Sequence, residues 1–202
     1  MRRIRIIANI SLDGVIQAPG GPDEDRDGGF AHGGWAMRHF DPAMGGDVAA
    51  AQGETFDLLV GRRTYDIFAS YWPTAENDRT ADALNRATKY VATHRPETLG
   101  WGPAEGLGRD IGAHLRELKA QGGRDIIVWG SSTLTPLLFE QGLVDEVLLF
   151  VFPILLGEGK RFFSGRVAPR ELALVNSRPA SSGALANMYR PVGPLQPDSR
   201  SR

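Results

Sequence analysis

The chain has 202 residues, enough for one domain with a sizeable core, and its 42% hydrophobic and 23% charged content is that of an ordinary globular protein rather than a disordered or membrane-embedded one. A formal net charge of −1 argues against a dedicated nucleic-acid binder, which needs a basic excess or stripe. With no cysteine, the sequence excludes disulfides, thiolate zinc sites and a cysteine nucleophile.

The amino terminus opens with basic and then apolar residues, but Asn9, Ser11 and Asp13 interrupt any signal-peptide core. Arg5 to Leu12 reads as a buried first strand and Asp13-Gly14 as the turn after it. From Pro19 to Gly34, glycine, proline and aspartate dominate, which predicts a long mobile surface loop, a functional lid or a tolerated insertion. Asp47 to Phe56 has helical composition. Leu58-Leu59-Val60 is then a short apolar strand ending in Gly61, Arg62, Arg63 and Thr64, with Thr64 expected to cap a helix that Pro73 stops.

Asn77 to Ala87 predicts a further helix and Lys89 to Thr93 a strand, while Leu99 to Leu107 is rich in glycine and shows no clear period. Asp110 caps a helix whose inner face carries Ile111, Leu115 and Leu118, and Gly122-Gly123 ends it. Asp125 to Trp129 is a strand centred on Ile126-Ile127-Val128, of the kind buried in parallel sheets. Gly130-Ser131-Ser132-Thr133 leads from it into a helix bearing Leu134, Leu137, Leu138 and Phe139. Val144 to Ile154 is the longest strand, and the apolar run reaching Leu156 contains Pro153 and is too short to cross a bilayer. Glu171 to Asn176 and Ala184 to Tyr189 are the last two strands. Strands and helices alternate and strands alone finish, so the pattern predicts an α/β fold with an antiparallel closing hairpin. Residues 1–190 are expected to form the one domain and 191–202, rich in proline, serine and arginine, a disordered tail. A soluble cytoplasmic protein is the expectation.

Two strand-to-helix turns carry the chemistry. At the first, Gly61 permits close approach, and two guanidinium groups beside a helix start make a fork for phosphate oxygens. At the second, Gly130 to Thr133 offers amides and hydroxyls suited to a pyrophosphate, although neither a GxGxxG fingerprint nor a P-loop occurs in the chain. Open α/β sheets bind ligands at the carboxyl ends of their strands, so two such turns reinforce each other. The arginines suit a monoester phosphate and hence a 2′-phosphorylated dinucleotide. Lys89, Thr93, His94 and Arg95 flank a third strand end. The four histidines, His32, His39, His94 and His114, show no metal-ligand spacing, and no metal is expected.

Taken together, Ser11-Leu12-Asp13-Gly14, Gly61-Arg62-Arg63-Thr64-Tyr65, Lys89-Tyr90-Val91-Ala92-Thr93, Gly130-Ser131-Ser132-Thr133-Leu134 and the stretch from Leu143-Val144-Asp145-Glu146 to Gly157-Glu158-Gly159 resemble the dihydrofolate reductase-like superfamily. The resemblance is to its branch formed by the reductase domain of riboflavin biosynthesis and free-standing relatives, and it runs from about Ile4 to Tyr189. Gly33-Gly34-Trp35 and Tyr71-Trp72-Pro73 resemble the free-standing bacterial members. It implies a three-layer αβα domain with a mixed, mainly parallel sheet that binds NADPH. By position, Gly61, Arg62 and Thr64 would hold the 2′-phosphate region with Arg63 helping, Thr93 would sit by the adenine ribose, Gly130, Ser131, Ser132, Thr133 and Leu134 would cradle the pyrophosphate, and Asn9 with Ile16 would edge the nicotinamide.

Dihydrofolate reductases carry a carboxylate on the helix after the first loop; here Asp41 and Asp47 fall in that region without the expected aromatic-rich helical setting, so a pterin substrate loses weight. The riboflavin-pathway reductase acts instead on a phosphorylated ribosylaminopyrimidine. Asp13 is the first candidate for catalytic contact with substrate, and Trp35, Asp41 and Lys160 are candidates for binding it. A small-molecule substrate is expected, with true dihydrofolate reduction and a non-catalytic dinucleotide-binding module as the alternatives. The strand-rich last third is a candidate homodimer face.

Overall fold

The computed structural model describes residues 1–76, 78–163 and 167–196. In chain order the elements are β1 (Ile4–Ser11), α1 (Pro42–Gln52), β2 (Phe56–Gly61), α2 (Arg62–Tyr71), α3 (Arg79–Arg86), β3 (Lys89–Ala92), β4 (Ala104–Gly106), α4 (Ile111–Ala120), β5 (Asp125–Trp129), α5 (Leu134–Glu140), β6 (Glu146–Phe152), β7 (Arg170–Pro179) and β8 (Leu185–Pro194). The strands form one mixed sheet in the order β4-β3-β2-β5-β1-β6-β8-β7. The first six in that order pair in parallel, while β6–β8 and β8–β7 are antiparallel.

Helices cover both faces. In β1, Ile4, Ile6, Ala8 and Ile10 pack with α4 and α5, whose Leu115, Leu118, Leu134 and Leu138 they meet; Ile7 turns the other way, to the core of Met44, Tyr65 and Leu84 from α1, α2 and α3. This alternation is the two-residue period of a strand buried on both sides, which is why the central strands read as nearly continuous apolar runs. Buried charges sit at the amino-terminal edge: Arg2 pairs with Asp57, and Glu146 accepts from Arg5 (2.6 Å) and Arg190 (2.8 Å). Each buried carboxylate has a cation beside it, as burial of charge requires.

Four sequence expectations are corrected. The helix expected over Asp47 to Phe56 begins at Pro42, because Asp41 caps it and proline suits a first helical turn. The helix after β2 begins at Arg62, three positions before its expected start, with Gly61 as the N-cap residue. The chain from Pro191 to Pro194, assigned to a disordered tail, continues β8, since its ladder runs on to Glu171↔Gly193 and Arg170↔Pro194; residues 197–202 of that tail lie outside the described residues. The loop from Pro19 to Gly34 is not a loosely tethered surface segment. Ala18, Phe30 and Trp35 are buried in the core, and a Cβ on Gly33 would fall 2.5 Å from the Pro22 carbonyl oxygen, so the loop folds tightly on itself.

Candidate active site

The helices after β1 and β2 lie on one face of the sheet and the helix after β5 on the other, while β5 sits between β2 and β1. The chain therefore leaves the carboxyl ends of neighbouring strands in opposite directions and opens a crevice there, the place where ligands bind to open α/β sheets. Gly61 and Gly130 both end strands at this crevice.

The helix starts differ according to where they lie. Aspartates cap α1, α3 and α4: Asp41 accepts from the Ala43 amide (2.8 Å), Asp78 from those of Thr80 (2.7 Å) and Ala81 (3.3 Å), and Asp110 from that of Ala113 (2.9 Å). The two helices that start at the crevice, α2 and α5, have no side-chain cap. At α5 the amides of Leu134 (2.9 Å) and Thr135 (3.2 Å) turn back to the Ser131 carbonyl and Pro136 has none, whereas the first amides of α2 are left for water or an anion, and that first turn adds Arg62 and Arg63 with no acidic residue.

Ser131 joins the two turns. Its Oγ accepts from the Gly61 amide (2.7 Å) and lies 3.1 Å from Thr64 Oγ1 in a hydroxyl–hydroxyl hydrogen bond. Thr64, expected to cap its own helix, is thus turned toward the neighbouring strand end. A Cβ on Gly61 would meet Ser131 Oγ at 3.2 Å, so glycine is what lets the turns approach. Gly130 and Ser131 are consecutive left-handed residues, with φ of 58° and 66°, which reverses the chain sharply before α5. Leu134 is buried beneath that start.

The two arginines diverge. Arg62 donates from Nε to both oxygens of Asp66 (2.9 Å each) and from Nη1 to Thr98 Oγ1 (2.5 Å) and the Arg95 carbonyl (3.1 Å), leaving Nη2 for a further partner. Arg63 reaches instead to the loop, where it pairs with Asp25 (3.0 Å) and Asp27 (3.3 Å). Buried Thr93 accepts from the Arg95 amide at 3.0 Å, shaping the turn that brings the Arg95 carbonyl to Arg62.

Asn9, half-buried near the end of β1, and Trp129, the last residue of β5, lie on the same face of adjacent strands, since Ile7 is in register with Trp129. Ile16 follows, its amide bonded to the Lys160 carbonyl (2.9 Å). Trp129 is a residue the sequence reading missed. Its indole N–H is buried with no hydrogen-bond partner, which is uncommon enough to need a reason. A tryptophan ending an apolar strand looks like core; only its place beside the crevice distinguishes it.

On the substrate side the structure reassigns several candidates. Asp13 accepts from Ser11 Oγ (2.6 Å) and from the amides of Leu156 (3.2 Å) and Gly157 (2.8 Å), so it ties the end of β1 to the turn after β6. The Ser11 hydroxyl and those amides hold its carboxyl at about 2, and an acid that strong stays ionised and delivers no proton near neutrality. Asp41, besides capping α1, accepts from the amide (3.1 Å) and hydroxyl (2.5 Å) of Ser181, and Asp47 pairs with Arg178; both acids therefore anchor the β7–β8 hairpin rather than face an open pocket. Lys160 bonds to Asp25 (2.7 Å) and Asp27 (3.0 Å), which takes up the charge expected for a substrate phosphate. Trp35 is core, edge-on to Phe152 with centroids 5.5 Å apart and its N–H given to the Gln17 carbonyl (2.7 Å). Among the described residues no cluster could hold a metal ion, and no helix is long and apolar enough to cross a membrane.

The RibD C-terminal domain family matches residues 106–186. The chain is 30% identical over 192 residues to the uncharacterized protein YyaP of Bacillus subtilis (strain 168), covering 93% of this chain and 94% of that one. A pyrimidine reductase-like protein from Corynebacterium diphtheriae superposes with a TM-score of 0.65 at 12% identity, over 95% of this chain and 92% of that one. Dihydrofolate reductase from Enterococcus faecalis, complexed with NADP(H), superposes with a TM-score of 0.60 at 16% identity, over 94% and 96%. These likenesses agree with the mixed sheet and give the fold as that of dihydrofolate reductase, and the chain belongs to the RibD C-terminal domain family.

Proposed function

We propose that this protein is an NADPH-dependent reductase of a ribosylaminopyrimidine-type or related small heterocyclic substrate, in the manner of the 5-amino-6-(5-phosphoribosylamino)uracil reductase of riboflavin biosynthesis. The observation that carries the reading is the uncapped start of α2 at the crevice, bound through Ser131 to the glycine turn after β5 and flanked by Arg62. The NADP(H) in the enterococcal relative supports the choice of cofactor.

Bound NADPH supplies a hydride. The protein aligns, excludes water and neutralises charge. Arg62 is fixed before the ligand arrives, by Asp66 and Thr98, so its remaining donors meet the 2′-phosphate with little loss of side-chain freedom. The Gly130 to Thr133 turn takes the pyrophosphate and Thr93 borders the adenine ribose. Asn9, Ile16 and the indole of Trp129, whose buried N–H has no partner, would border the nicotinamide and offer it a hydrogen-bond donor. With Asp13 ionised and Asp41 committed to Ser181, the proton that completes reduction comes from water. The same commitment of Asp41 weighs against dihydrofolate, whose reduction uses a carboxylate in this region.

Titration of wild type and Arg62→Ala with NADPH and NADH tests the reading. The variant is expected to lose about 10- to 100-fold in NADPH affinity, the worth of a charge-assisted phosphate contact, with a much smaller loss for NADH. Equal losses would remove Arg62 from the phosphate site. NADPH oxidation dependent on the riboflavin intermediate or on dihydrofolate identifies the substrate, and tight binding with no turnover on either identifies a binding module.

A further inference from the structure

Four charges from three chain segments meet above the crevice. Arg63 belongs to the first turn after β2, Lys160 to the turn after β6, and Asp25 and Asp27 to the loop that leaves β1. In the sheet order, β5 and β1 lie between β2 and β6. A contact shared by Arg63 and Lys160 therefore spans the carboxyl edge of the two strands that border the nicotinamide position. We propose that Arg63 and Lys160 form an ionic latch that holds the 18–34 loop closed across this edge, and that Arg63 is a positioning residue acting through the loop rather than a ligand of the cofactor phosphate. The proposal rests on the dinucleotide reading for its effect on binding, but not for the latch itself.

The loop is built to receive the latch. Gln17 donates from Nε2 to the carbonyls of Asp25 and Asp27 (3.0 Å each) and accepts the Lys160 amide at Oε1 (3.0 Å), while its own carbonyl takes the Trp35 indole. One buried glutamine thus fixes both aspartates and the lysine backbone. The Asp25 side chain is only 8% exposed, which shields its pairs from salt, and Arg63 is 56% exposed, so it can be replaced without opening the core. Burial pushes the Asp25 carboxyl up, but the Lys160 hydrogen bond, the Asp27 amide and the two cations bring it below its ordinary value; the same cations lower Asp27. On the far side of the turn Arg62 is turned away, to Asp66 and Thr98, so adjacent arginines serve different ends.

The test compares wild type, Arg63→Ala, Asp27→Asn and the double variant by amide hydrogen exchange over residues 18–34 without cofactor, and by NADPH and NADH titration. Each single variant is expected to speed loop exchange and to weaken both nucleotides by the same factor, about 5- to 10-fold, and the double variant to lose more than either but less than the product of the two, since both break the Arg63–Asp27 pair while each also breaks one other. Arg63→Lys restores part of the protection. Unchanged exchange in Arg63→Ala, or a loss confined to NADPH, overturns the latch and returns Arg63 to the phosphate site. Faster exchange in Arg63→Ala together with a wild type that binds neither nucleotide supports the latch and removes the dinucleotide reading.

Discussion

Lys89 brings a positive charge into the interior with no carboxylate among the described residues paired to it. Its side chain is fully buried, donates to the carbonyls of Asn85 (2.8 Å) and Gly102 (3.1 Å), and lies 4.3 Å from the centre of the Trp101 ring. Burial lowers its pKa to about 8, against about 10.4 in an unfolded chain. Between those values the unfolded chain binds more protons than the folded one, so this residue makes the protein more stable as pH rises from about 8 towards 10.4. Melting temperatures of wild type and Lys89→Met are therefore expected to diverge in favour of wild type across that range, and a pH-independent difference would contradict a penalised ammonium. The sequence groups Lys89 with His94 and Arg95 as charges flanking a strand end, but it lies buried at the amino end of β3, because burial is set by Trp101, which arrives from elsewhere in the chain. Asp13 shows the same limit: the sequence places it beside the site, yet its role is decided by amides at Leu156 and Gly157, more than a hundred residues away.

At the scale of elements, local signals were read well where one segment suffices. Asp125 to Trp129 matches β5 residue for residue, and Asp110 caps α4 as its position foretells. The start of α2 was misplaced because Gly-Arg-Arg-Thr offers a threonine with every local feature of a cap, while the partner that claims it, Ser131, belongs to another strand end. That pairing leads to a prediction. Ser131 holds a left-handed backbone that penalises any side chain, so Ser131→Ala loses the hydroxyl and keeps the strain, whereas Ser131→Gly loses the hydroxyl and relieves it. Ser131→Ala is expected to be the less stable by about 1 kcal/mol, measured by denaturant unfolding, despite the greater freedom that glycine brings to the unfolded chain. The reverse order would show that the freedom glycine brings to the unfolded chain outweighs the backbone strain at this turn.

For the whole molecule, the two edges of the sheet are unequal. The β4 edge is three residues long, but β7 spans ten and exposes Leu174 (56%) and Val175 (48%), with Val192 of the adjoining β8 also bare. A long edge strand with apolar side chains is a template for pairing with another chain. Sedimentation equilibrium is expected to show a homodimer, and Leu174→Lys with Val175→Lys a monomer; a monomeric wild type would refute the edge as an interface. The sequence foretold the layered architecture because alternating apolar periods report which faces are covered. It did not foretell that the loop after β1 is pinned, since Gln17, Arg63 and Lys160 are brought together only by the order of the strands.

The open start of α2 also bears on how this protein can be improved. A screen for thermal tolerance would be drawn to its first turn, which holds two arginines and no acid, because a carboxylate near a helix amino terminus typically adds about 0.3–1 kcal/mol. Such a carboxylate would face the open amides of α2 and place a negative charge where the proposed function puts a nucleotide phosphate. Selection for robustness alone would thus drift toward hardy proteins with nothing to bind, and any engineering of this scaffold has to score ligand retention alongside melting temperature.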